Sequence, residues 1–190
     1  MKDVLRALRD AVEVLEQLKL PYAVMGGLAV RIWSIPRATW DVDVTVAVAD
    51  DALPRLTHAF EERGYTTPEV YKSGWTDQVG GIPVIKFRWY VPGGDLDVDL
   101  FLVETPFQRS LLSRRCKAHT DGIDMWVASA EDLILLKLVA SRSRDLVDVA
   151  DILFMQGQLD EAYLRTWAVK LGVLDALEHA LANHPGDERP

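Results

Sequence analysis

Two aspartates at alternate positions, Asp41 and Asp43 in Trp40-Asp41-Val42-Asp43-Val44-Thr45-Val46, lie in a run that otherwise reads as a buried strand. Alternate strand residues share a face, so both carboxylates point one way while Val42, Val44 and Val46 point the other. Carboxylates about 7 Å apart at the Cα, by strand rise, repel unless a cation lies between them, and a hard divalent ion with oxygen ligands is the natural partner. A later run, Gly94-Asp95-Leu96-Asp97-Val98-Asp99-Leu100-Phe101-Leu102, puts three more carboxylates on one face. If the sheet lays it beside the first, acidic groups from two strands converge on one or two metal ions, an arrangement suited to phosphate chemistry.

The elements that must position these groups follow from periodicity. Val4, Leu5, Leu8, Val12, Leu15 and Leu18 form a helical stripe, giving a helix over 2–19 closed by Pro21. A short strand at 22–25 then meets Gly26-Gly27 and a helix over 28–33. Glycines there permit a backbone approach that side chains would block, and the helix aims free amides at the turn; an ordinary tight strand-to-helix turn has the same sequence. Arg37 and Thr39 share the alternate-residue register of Asp41 if the strand extends that far back, where they can orient a carboxylate or touch a phosphate.

Asp50 or Asp51 caps a helix that stops at Gly64, and 65–83 reads as a long irregular loop, whose Tyr71 or Trp75 either stacks on a base or packs on the surface. A hairpin joins 83–91 to the second acidic strand. A helix over 106–115 and a strand over 123–127 follow. Ser129-Ala130-Glu131-Asp132 matches a capping box that opens a helix over 133–140, and three more helices cover about 145–156, 159–170 and 173–183. The predicted fold class is therefore α/β (α+β): a small mixed sheet flanked by helices over 1–128, a helical bundle over 129–183 and a frayed tail over 184–190.

With 190 residues, 49% hydrophobic and 26% charged, the chain has room for one α/β unit and a small second module. No apolar run is long enough to cross a membrane, the N-terminus lacks signal-peptide character, and the single cysteine, Cys116, fits a reducing cytoplasm as a small, partly buried apolar residue. A net charge of −8 argues against nucleic acid gripped over a wide surface. One local basic cluster, Arg109, Arg114, Arg115, Lys117 and His119, is either an RNA contact or a solvated helix face. His58, His119, His179 and His184 have no metal-ligand spacing and read as surface residues.

Gly26-Gly27, then Arg37-Ala38-Thr39-Trp40-Asp41-Val42-Asp43, then Val98-Asp99-Leu100-Phe101, then Asp132 to Lys137 and Arg144-Asp145-Leu146-Val147-Asp148 form an ordered set over residues 20–155. This set resembles the nucleotidyltransferase superfamily of polymerase β type, in its AbiEii-like toxin branch. The resemblance implies that Gly26 and Gly27 hold the triphosphate of an NTP, and that Asp41, Asp43 and a third aspartate ligate Mg2+ or Mn2+. The apolar-Asp-apolar-apolar pattern favours Asp99 over Asp97 as that third ligand. It also implies that Lys137 lies near the phosphates and that Asp148 belongs to the site. From residue chemistry alone, Lys137 either snorkels to solvent or meets an anion, and Asp148 can equally pair with Arg144 on a helix surface.

The function this implies is metal-dependent transfer of NMP from an NTP to a hydroxyl acceptor, the 3′ end of tRNA or another RNA. Alternatives are an aminoglycoside-like antibiotic as acceptor, a non-catalytic nucleotide-binding or partner-binding member of a toxin-antitoxin pair, and a structural metal site without nucleotide.

Overall fold

Strands whose valines and leucines alternate with polar residues must cover one face and leave the other for something else, and the sheet is built that way. The computed structural model describes residues 2–72, 77–79, 82–92 and 94–183, with backbone alone at 71, 72 and 77–79. Among the described residues, seven strands, β1 (Tyr22–Met25), β2 (Val42–Val46), β3 (Asp77–Val79), β4 (Ile82–Val91), β5 (Gly94–Leu102), β6 (Cys116–Thr120) and β7 (Ile123–Val127), form one mixed sheet in the order β3-β4-β5-β2-β1-β7-β6. β2 runs parallel to β5, and β1 to β7; the other neighbours are antiparallel.

One face is covered by α1 (Lys2–Gln17) and α3 (Leu53–Glu61), whose Leu8, Leu15, Leu56 and Phe60 pack on Val42, Val44, Val46, Val98 and Leu100. Phe60 stacks on Phe87 of β4 with ring centroids 4.1 Å apart. On the other face, Ala23 and Met25 of β1 meet Leu111 and Leu112 of α5 (Pro106–Arg114), a helix opened by a reciprocal Thr105–Gln108 capping box.

The later helices, α6 (Ala130–Ala140), α7 (Ser143–Met155), α8 (Glu161–Leu171) and α9 (Leu174–Ala182), close over α2 (Gly26–Trp33). Ala29 and Val30 of α2 are buried in one cluster with Leu133, Ile134, Ile152, Leu164 and Leu177. The Trp33 indole donates to the Ala128 carbonyl at 2.8 Å, and Gln156 donates to the Trp33 carbonyl. This packing fixes α6 and α7 against the helix that follows the diglycine.

Several expectations are revised. The presumed irregular stretch 65–83 holds a short helix, α4 (Glu69–Lys72), and the edge strand β3. Tyr71's side chain, Trp75 and the tail 184–190 lie outside the described residues. The strand β6 was not foreseen: its apolar positions are the small, half-buried Cys116 and Ala118, a faint alternation. The capping box at 129–132 is half present. Ser129 Oγ accepts from the Asp132 amide at 3.1 Å, but the Asp132 carboxylate turns inward, accepting from Ser129 Oγ at 2.7 Å and Tyr163 at 2.5 Å.

Candidate active site

Register brings the two acidic runs together. The parallel pairing of β2 and β5 sets Asp43 opposite Asp99, while the antiparallel pairing of β1 and β2 sets Met25, the residue before the diglycine, opposite Asp43. Regular strand begins only at Val42, so Asp41, Thr39 and Arg37 belong to the preceding segment and not to an extended β2. Asp41 is exposed there, and Thr39 is buried.

The glycines are dictated by this site. Gly26 takes a φ of +64°, and a Cβ on it would fall 1.9 Å from Asp43 Oδ2. A Cβ on Gly27 would fall 2.6 Å from Thr39 Oγ1 and 3.2 Å from Arg37 Nη1. The start of α2 is thus pressed directly against the aspartate and the segment leading into it.

Burial, followed by the negative charges of Asp99 and Asp41, pushes the Asp43 carboxyl up to about 6, with Lys137 and Arg142 pulling it back. Burial likewise raises Asp99, against the pull of Lys86, whose ammonium donates to Asp99 Oδ2 at 2.7 Å across the β4–β5 pair. Asp99 Oδ1 is buried and has no hydrogen-bond partner among the described residues. Asp97 is differently placed: Arg88 holds it with two hydrogen bonds of 2.7 and 2.8 Å and lowers its pKa. Asp95, also within β5, is 3.7 Å from Arg88.

Among the described residues, no three His, Cys, Asp or Glu side chains are gathered closely enough to enclose a metal as they stand. The donor chemistry nevertheless fits a hard divalent cation. Asp41, Asp43 and Asp99 offer only oxygens, burial raises the pKa of Asp43 and Asp99, and one Asp99 oxygen is buried without a donor.

Behind the carboxylates lies a buried ionic network. The Lys137 ammonium, with a side chain only 6% exposed, is 2.8 Å from Asp145 Oδ1 and 2.8 Å from Asp148 Oδ2. Asp148 also accepts from Arg37 Nε at 2.6 Å and Nη2 at 2.7 Å, and Asp145 from Arg142 Nε at 2.6 Å. Burial would raise both aspartates, yet these hydrogen bonds and charges outweigh it and hold both below the ordinary carboxylate value. Lys137 therefore neither snorkels to solvent nor stands apart from other side chains. The alternative partner for Asp148, Arg144, is an exposed residue that makes no such bond, and the expected surface pair is replaced by Arg37 and Lys137. Asp145 and Arg142 were missed as site residues; the one available signal was the i, i+3 spacing of Asp145 and Asp148, which places both on one face of α7.

The basic cluster is not a helix face. Arg109 and Arg114 lie on α5, Arg115 follows it, and Lys117 and His119 lie on β6. Each of its side chains has a contact within the chain. Arg109 donates to the Glu104 carbonyl, Arg114 lies over the Tyr163 ring and beside Glu131 and Asp160, Arg115 and Lys117 lie over Trp126, and His119 pairs with Asp124.

A mixed sheet with acidic residues on adjacent parallel strands, beside a diglycine that opens a helix, defines the nucleotidyltransferase superfamily fold. The family model for a nucleotidyltransferase of unknown function (DUF6036) matches residues 3–174, and the chain belongs to that family. Solved structures share the fold at low identity. The antibiotic-resistance factor ANT(2'')-Ia superposes with a TM-score of 0.61 at 13% identity, covering 94% of this chain and 98% of that one. The lincomycin-bound lincosamide antibiotic adenylyltransferase LnuA gives 0.55 at 12%, covering 82% and 98%. A putative nucleotidyltransferase from Thermotoga maritima gives 0.52 at 15%, covering 90% and 95%. No curated protein matches by sequence.

Proposed function

We propose that the chain transfers NMP from an NTP to the hydroxyl of a small acceptor, with Asp41, Asp43 and Asp99 as ligands of Mg2+ or Mn2+. The observation that carries this reading is the register of Asp43 opposite Asp99 with Gly26 packed on Asp43. A bound divalent cation would supply Lewis-acid stabilisation of phosphate charge and favour the ionised acceptor oxygen. The acceptor oxygen bonds to the α-phosphorus, the bond to the bridging oxygen breaks, and pyrophosphate leaves with that electron pair while the acceptor hydroxyl gives its proton to solvent. Gly26 and Gly27 let the phosphates approach the amides at the start of α2. Lys137 and Arg37, fixed by Asp148, add positive charge behind the site.

A small hydroxylated acceptor fits better than RNA because the basic side chains between 109 and 119 are turned to partners within the chain and the net charge is −8. The test is incubation with labelled NTPs, Mg2+ and either a panel of aminoglycosides and lincosamides or mixed tRNA. Label is expected on a small acceptor and absent with the Asp41→Ala, Asp43→Ala double variant. Label persisting in that variant would overturn the site, and label on tRNA alone would overturn the choice of acceptor.

A further inference from the structure

The corner between α6 and α7 is built more tightly than a helical turn requires. Ser141 closes α6 in the left-handed conformation, with φ of +52°, although it is not a glycine. Arg142 follows at the N-cap of α7, and Asp145, three residues on, accepts from the Arg142 amide at 3.3 Å, from its Nε at 2.6 Å and from its Nη2 at 3.3 Å. The same carboxylate receives Lys137 at 2.8 Å and is 1% exposed. Arg142 is held by a buried anion along one edge of its guanidinium, yet its side chain is 77% exposed. Nη1 has no partner among the described residues.

The three cations of this corner differ in what they have left to give. Lys137 spends donors on Asp145 and Asp148, and Arg37 spends Nε and Nη2 on Asp148 and Nη1 on the Ala38 carbonyl. Arg142 alone among them keeps a fixed, solvent-facing fork. It is tied to the diglycine by contact: Asp145 is shared with Lys137, Lys137 and Arg37 share Asp148, and Arg37 Nη1 is 3.2 Å from where a Cβ on Gly27 would fall. A guanidinium pinned along one edge offers the other to a planar or tetrahedral oxyanion with little further loss of side-chain freedom.

From this geometry we infer that Arg142 binds the β- and γ-phosphates of the incoming NTP, and that Asp145 is the positioning residue that presents it. The inference rests on the nucleotide reading above and names the group that distinguishes a triphosphate from a monophosphate. Binding of the four Mg-NTPs, the corresponding monophosphates and inorganic tripolyphosphate is measured by calorimetry for the wild type, Arg142→Ala and Arg142→Lys. NTP and tripolyphosphate affinity are expected to fall about tenfold or more in Arg142→Ala, with partial recovery in Arg142→Lys and unchanged monophosphate affinity. Equal losses for NTP and NMP would show a structural role and overturn the assignment, as would unchanged NTP binding in Arg142→Ala. If the wild type binds no NTP at all, the nucleotide reading itself falls together with this one.

Discussion

An aspartate beside two other carboxylates ionises at a cost, and without a cation Asp43 carries that cost in the folded chain. Its carboxyl is pushed up to about 6 by burial and by Asp99 and Asp41. A raised value means that the folded state holds the proton more tightly than the unfolded state. The contribution from this group is therefore fully present below the ordinary carboxylate range and is lost as pH rises to about 6. Above that window the metal-free chain is destabilised by on the order of 2 kcal/mol, which a divalent cation would offset. Asp43→Asn removes the repulsion while keeping the shape. The metal-free variant should melt a few degrees higher than wild type at pH 7, by roughly 2–4 °C per kcal/mol, and should not at pH 4, while transfer activity is lost. A melting temperature unchanged at pH 7 would mean that burial and the neighbouring carboxylates put no such cost on Asp43. Gly26 belongs to the same account, since its absent side chain is what allows α2 to start against Asp43.

At the scale of elements, α6 and α7 are joined to the segment before β2 by charges rather than by apolar contact alone. Asp148 reaches Arg37, 111 residues away in the chain. Removing one partner from a buried pair leaves the other charge uncompensated, so Lys137→Met should cost about 3 kcal/mol in denaturant unfolding. Arg144→Ala, at the neighbouring exposed position, should stay within about 0.5 kcal/mol. The opposite ranking would restore the helix-surface pairing of Asp148. This contrast also marks what was legible. The alternation of aspartate with valine and leucine in 41–46 and 95–102 revealed β2, the hairpin and the shared acidic face because the strand period is fixed at two. The pairing of Asp148 with Arg37 was hidden because a local candidate, Arg144, lay four residues away, whereas Arg37 is far off in sequence. β6 was hidden because its inward positions are small residues on an edge strand.

At the scale of the whole molecule, the sheet is a frame with one apolar side committed to α1 and α3 and one side partly surrendered to charge. Helices after 129 bury α2 and so brace the diglycine from behind, which makes the helical part an element of the site rather than an appendage. The central claim is that two strands and the start of α2 together hold a divalent cation and a nucleotide. Its most direct test is Mn2+ binding followed by electron paramagnetic resonance, with a non-hydrolysable NTP analogue, in wild type, Asp43→Asn and Asp99→Asn. The account predicts Mn2+ uptake by the wild type that weakens about tenfold or more in each variant. Equal uptake by all three proteins, or nucleotide bound with no Mn2+ taken up, would contradict it.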